Sequence, residues 1–203
     1  MKQEQHKNMR YRPALSFFHA NAKGTGSAVR FELRPATEMS EGCVFVSLAK
    51  QLTLGDFSGR TRQYATFDWD NKICVKLSFD DLCQMLQVLH GECESMNGDK
   101  GLFHSSASAT AIIRFRHDVE RDGSYRFEVR KKVNEAVSTS AAVNGGGANV
   151  CSILFSRSEA LGLCEVIRSS MSAICFGNIC VGQGLAAVVP VEHATRQGSG
   201  DAT

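Results

Sequence analysis

What the sequence lacks narrows it first. No stretch approaches the roughly 18 consecutive apolar residues of a membrane-spanning helix, so no membrane association is expected. The first residues contain no apolar core of a secretory signal. The eight cysteines form no even framework, no C-x-x-C pair and no zinc-ribbon spacing. Several of them (Cys83, Cys151, Cys164) fall on core faces, where a free thiol behaves as a small hydrophobe, and an intracellular, reducing compartment is expected. His90 and Cys93 are an isolated pair, too few for a metal site. No nucleophile stands beside a base and an orienting acid, and no carboxylates pair. The chain therefore reads as a protein without catalysis or cofactor. Net charge is only +2, so any attraction for a polyanion must come from local arrangement.

What is present is a core-forming chain of 203 residues, 43% of them hydrophobic. Its clearest unit spans 67–92. Ile73, Val75 and Leu77 alternate with Lys72, Cys74 and Lys76, the period of a half-buried strand over 72–78. Ser78 and Asp81 have capping-box spacing, and Leu82, Met85, Leu86 and Leu89 follow as one helical stripe that Gly91 ends. The unit recurs. Cys151, Ile153 and Phe155 replace the strand positions, Ser156 and Glu159 the box, and Ala160, Leu163, Cys164 and Ile167 the stripe, with Gly177 closing it.

The strands before each unit repeat as well. Segments 15–21, 28–34 and 43–50 of the first half answer Leu102-Phe103-His104, Ile113 to His117 and 123–129 of the second. Each half is thus ββββα with antiparallel hairpins, an α+β class. The repeats run over 14–92 and 101–177. A basic arm (1–13) precedes them and a partly disordered tail (178–203) follows, with a flexible hairpin tip around 145–147. Phe18-His19 and Phe103-His104 invite a metal or general-base role, but their equivalence by repeat favours a structural one.

The outward positions of the strands carry Arg30, Arg34, Lys50, Lys72, Lys76, Arg114, Arg116, Arg126, Arg130 and Lys132, opposed chiefly by Glu32 and Glu128. An ordinary solvated face mixes both signs; a one-signed face points to a polyanion. Phe45 is outward too, and Tyr64, Phe67 and Trp69 lie beside the long connection 51–66, where they offer stacking planes. A basic face with aromatic rings is the design of a sequence-tolerant single-strand binder. Two other readings use the same surface: an RNA-annealing or guide-RNA-binding accessory factor, and an oligomeric scaffold for an acidic protein. The second helix is apolar beyond its core stripe at Leu161, Val166, Ala173 and Cys175, so a closed oligomer is expected.

Over residues 14–177 the chain resembles the Whirly family of single-stranded nucleic-acid-binding proteins. The resemblance rests on the tandem ββββα order, on Phe67-Asp68-Trp69 followed by Lys72, on Leu102-Phe103-His104, and on the closing strand–helix from Ser152 to Asn178. Kinetoplastid mitochondrial guide-RNA-binding proteins, Pur-alpha and positive-cofactor-4 proteins use related units. The resemblance implies two four-stranded antiparallel sheets packed through two helices. It also implies a homotetramer with the helices at its centre, and single-stranded DNA or RNA lying along the sheets between protomers. It adds Lys23 to the binding residues. Lys23-Gly24-Thr25-Gly26-Ser27-Ala28 only partly matches the Lys-Gly-Lys-Ala-Ala motif, since Thr25 stands where a second lysine is expected.

Overall fold

The computed structural model describes residues 14–56, 61–119, 123–134 and 148–177. The basic arm, the glycine-rich tip at 145–147 and the tail after 177 lie outside the described residues.

Strands β1 (Ala14–His19), β2 (Ser27–Arg34), β3 (Cys43–Lys50) and β4 (Ile73–Leu77) form one antiparallel sheet in chain order, followed by helix α1 (Phe79–Leu89). Strands β5 (Leu102–Ser105), β6 (Ala109–Asp118), β7 (Ser124–Val133) and β8 (Asn149–Phe155) form a second, followed by α2 (Arg157–Phe176). The tandem ββββα reading holds. β1 stops two residues short of the expected 21 because the Asn21 side chain turns the chain, accepting hydrogen bonds from the backbone N–H groups of Lys23 and Thr25. Gly26 in this turn has a packing reason: a Cβ there would collide with the carbonyl of His19 and with Gln51.

Both capping boxes form. The Ser78 and Ser156 hydroxyls accept from the N–H groups of Asp81 and Glu159, whose carboxylates accept in return from the cap N–H groups. Gly91, at φ 75°, ends α1, with its N–H donating to Val88 O and that of Glu92 to Gln87 O. The buried stripes differ slightly from expectation. Val88 is buried in α1 while Leu86 and Leu89 are half-buried; in α2 Ser170 is buried and Met171 half-buried. Ser170 fits because its hydroxyl donates back to the Val166 carbonyl.

The helices cross-pack. α1 lies on β6 of the other repeat, α2 touches β2 and β7, and the two helices touch each other. One core results. Inward Phe31, Phe115, Phe127 and Phe155 from both sheets meet with ring centroids 6.1–6.4 Å apart. Ser27 Oγ donates to Ser152 O at 2.7 Å and Lys131 Nζ to Cys74 O at 2.8 Å, stitching sheet to sheet.

The two histidines complete the exchange. His19 on β1 meets the capping carboxylate of α2, Glu159, at 2.7 Å, and His104 on β5 meets that of α1, Asp81, at 3.2 Å. Each repeat therefore holds the helix start of the other, which explains the repeated Phe-His pair. Burial alone would raise the Glu159 carboxyl, but hydrogen bonds from His19 and Ser156 outweigh it and hold the group below its ordinary value. Burial pushes the thiols of Cys43, Cys83, Cys151 and Cys164 up, away from the reactive thiolate. Cys83, expected on a core face, is only half-buried.

Candidate nucleic-acid interface

Strand register assigns the outward side chains. In the first sheet Phe18, Ala28 and Ala49 share one row, Ser16, Arg30, Ser47 and Cys74 the next, and Glu32, Phe45 and Lys76 the third. The guanidinium of Arg30 sits 4.7 Å from the centre of the Trp69 ring, and that of Arg34 5.6 Å from Phe45 while reaching Glu32 at 3.7 Å. These rings are held at the surface by charge on one side and packing on the other.

The connection after β3 is more ordered than its polar composition suggests. Gln51 bridges to Phe67 and Asp56 to Gln63, so the segment folds back beside β1. Gln51 anchors it, accepting from the N–H groups of Asn21 and Gly26 and donating to Asn21 O and Thr53 O. Between this hairpin and β1 runs a groove of about 910 Å³ lined by Phe18, Leu54, Tyr64, Phe67 and Trp69. Phe18 is 55% exposed, with its ring 5.7 Å from Phe67 and 6.4 Å from Trp69. Phe18 and Leu54 were not among the expected site residues. Alternation around inward Leu15 and Phe17 assigns Phe18 outward; nothing local marks Leu54, which arrives by the fold of the connection.

The second sheet presents guanidinium groups instead. Arg114 faces Glu128 across β6 and β7 and meets it at 3.2 Å, while its Nε donates to Asp99 O at 3.3 Å. Arg116 faces Arg126, which is held by Asp118 at 3.4 Å. Asp118 thus joins Glu32 and Glu128 as an acid on the outward faces. Arg114, Arg116 and Arg126 line a cavity of about 390 Å³, where the chain rises through a 3₁₀ turn at Gly98–Lys100 into β5. Arg130 and Lys132 continue the row along β7, both exposed. Phe103 is outward beside Ile112 and 67% exposed, the counterpart of Phe18.

Two expected residues are placed differently. Lys50 pairs with Ser27 and shares the parity of inward Val44, Val46 and Leu48, so it lies on the core side of the sheet rim rather than on the outward face. Lys72 precedes β4, in the turn after Trp69, and its Nζ donates to Trp69 O at 3.3 Å. Lys23 is exposed in the Asn21 turn. The structure brings Arg30, Trp69 and Lys72 together at one end of the first sheet, Arg34, Phe45 and Lys76 along its outward face, and Arg114, Arg116 and Arg126 on the second. Among the described residues no cluster of His, Cys, Asp or Glu is placed to hold a metal, and no helix is long and apolar enough to cross a membrane.

No family model and no curated protein matches the sequence. Solved structures do. WHY1 of Arabidopsis thaliana, a Whirly protein, superposes with a TM-score of 0.58 at 14% identity, over 82% of this chain and 87% of that one. The MRP1/MRP2 structure of Trypanosoma brucei gives 0.52 at 13% identity, over 80% and 86%. A guide-RNA-binding protein complex bound to a guide RNA gives 0.50 at 15%, over 81% and 93%. At these identities the likeness is one of fold: two four-stranded antiparallel sheets, each followed by a helix that packs across to the other repeat, give this chain the Whirly fold.

Proposed function

We propose that the protein is a non-catalytic binder of single-stranded DNA or RNA with low overall sequence preference. Its binding surface would be the outward faces of both sheets, and it would work as a homotetramer with the helices inward. The observation that carries this reading is the pairing of guanidinium groups with surface aromatic rings, Arg30 with Trp69 and Arg34 with Phe45, on a face dominated by positive charge. Arg34, Lys76, Arg114, Arg116, Arg126, Arg130 and Lys132, joined at the sheet margin by Lys23, Lys50 and Lys72, supply contacts to phosphate, which every sequence offers. Phe18, Phe45 and Trp69 supply planes on which any base stacks. A duplex buries its base faces and cannot use the groove beside Trp69. The fold neighbours lend support, since one of them is a complex that holds a guide RNA. The oligomer follows from Leu161, 66% exposed, and Phe176, 74% exposed, on α2 with Val166 between them, an apolar face that a second copy would cover.

A titration of matched DNA and RNA oligonucleotides, single and double stranded, across a salt series tests the reading. Single strands should bind more tightly than duplex, with a slope of about −0.7 in log K against log salt for each phosphate held. Equal affinity for duplex, or a flat salt response, would remove it. The same titration separates DNA from RNA. Competition by an acidic polypeptide as strong as by oligonucleotide would favour the scaffold reading instead.

A further inference from the structure

The cavity on the second sheet is built differently from a plain phosphate site, because a carboxylate stands inside it. Arg114 is fixed from two directions, by Glu128 Oε1 at 3.2 Å and by the Asp99 carbonyl at 3.3 Å. The other oxygen of Glu128 makes no hydrogen bond or ion pair among the described residues. Arg116 and Arg126 face each other directly across β6 and β7, a like-charge pair that a sheet ordinarily avoids. Asp118 takes one end of Arg126, yet Arg126 Nε is buried without a partner, and Arg116 has no ion pair among the described residues. The site therefore offers fixed donors, one open carboxylate oxygen and an unrelieved pair of cations within about 390 Å³.

Resting on the single-strand reading above, we infer that this cavity is a guanine-selecting subsite, so that an otherwise sequence-tolerant protein reads one base. Guanine presents two adjacent acceptors, O6 and N7, which guanidinium groups match, and Arg with guanine is the commonest specific contact of proteins with bases. On a single strand its other edge is free too. There N1–H and the N2 amine are adjacent donors, and the open oxygen of Glu128 is the acceptor for them. Each remaining base presents a less complete match to this arrangement: adenine and cytosine offer one amine beside ring acceptors, and thymine or uracil a single N–H. The flanking phosphate then falls to Arg116 and Arg126, whose mutual repulsion it relieves. A carboxylate repels phosphate, so Glu128 would weaken a site meant for the backbone alone; its presence is accounted for by a base edge.

Anisotropy titrations of the full chain test this with a twelve-residue all-thymine DNA and the same strand carrying one central guanine, a length and composition that form no quadruplex. The single guanine should tighten binding about tenfold, within the discrimination expected of a bidentate pair. Inosine at that position lacks the N2 amine and should return the affinity most of the way to all-thymine; 7-deazaguanine lacks N7 and should lose part of the gain. Glu128→Gln should abolish the ratio between the two strands while raising affinity for both, since a negative charge leaves the face. Equal binding of the guanine and all-thymine strands by the wild-type protein overturns the inference and leaves a phosphate site, with single-strand binding intact. A guanine gain that inosine fully retains overturns it as well. Failure to bind any single strand removes this inference together with the function it rests on.

Discussion

The two sheets are built from one repeat and carry different chemistry on their outward faces. At the repeat position where β3 shows Phe45, β7 shows Arg126; where β2 shows Glu32 beside a surface ring, β6 shows Arg116 beside another arginine. The first sheet holds its cations on rings, and the second holds them with Glu128 and Asp118. The inward rows differ far less: Val29 and Phe31 correspond to Ile113 and Phe115, and Ile73 to Cys151, all buried. Inward positions are constrained by a shared core whose cavities are costly. Outward positions are free of that constraint, so they can diverge into a stacking surface and a charged one without loss of fold.

The comparison breaks most completely if the faces act only across protomers. Val166→Glu places a charge on the exposed side of α2 without touching the buried stripe of Ala160, Leu163, Cys164 and Ile167. Light scattering should report a smaller species, and oligonucleotide binding should fall for both faces together. A wild-type protein that is monomeric at micromolar concentration and still binds tightly would rule out a site between protomers.

Trp69→Ala comes next. It removes a stacking plane and frees Arg30, and affinity should fall by about 1–3 kcal/mol while the salt slope is nearly kept. Arg114→Ala with Arg116→Ala should weaken binding in the opposite manner, lowering the salt slope by about 0.7 for each phosphate that is no longer held. Both side chains point away from the core, so the circular dichroism spectrum should be unchanged; unfolding of this double variant would invert the assignment of faces. If the two variants changed the slope equally, the distinction between a stacking sheet and a charged sheet would fail.

The smallest effects concern the reciprocal histidine clamps. Ser78→Ala and Ser156→Ala should each cost about 1 kcal/mol in denaturant unfolding, as removal of an N-cap does. Glu159 titrates below its ordinary value in the folded protein, so its contribution is fully present above the ordinary carboxylate range and is lost as pH falls through the depressed folded value. Glu159→Gln should therefore flatten the acid limb of the stability curve. An unchanged acid limb would show that the pairing with His19 contributes nothing.

Some of this was fixed in the chain itself. Strand alternation, both Ser-x-x-acid boxes and the closing glycines are local signals, because side-chain period and unpaired helix amides are properties of a few consecutive residues. They were enough for the tandem ββββα order and for the outward placement of Arg30, Phe45, Lys76, Arg114 and Arg126. Strand parity also exposes the misplacement of Lys50, since Val44, Val46, Leu48 and Lys50 share one side. Tertiary structure alone decided which helix packs on which sheet, and so that His19 would find Glu159 and His104 would find Asp81, each in the other repeat. It alone folded the connection after β3 beside β1 to make the aromatic groove, and set Arg116 against Arg126 over an open carboxylate. Those pairings join residues far apart in the chain. Their register depends on how one shared core is filled, and no local pattern records that.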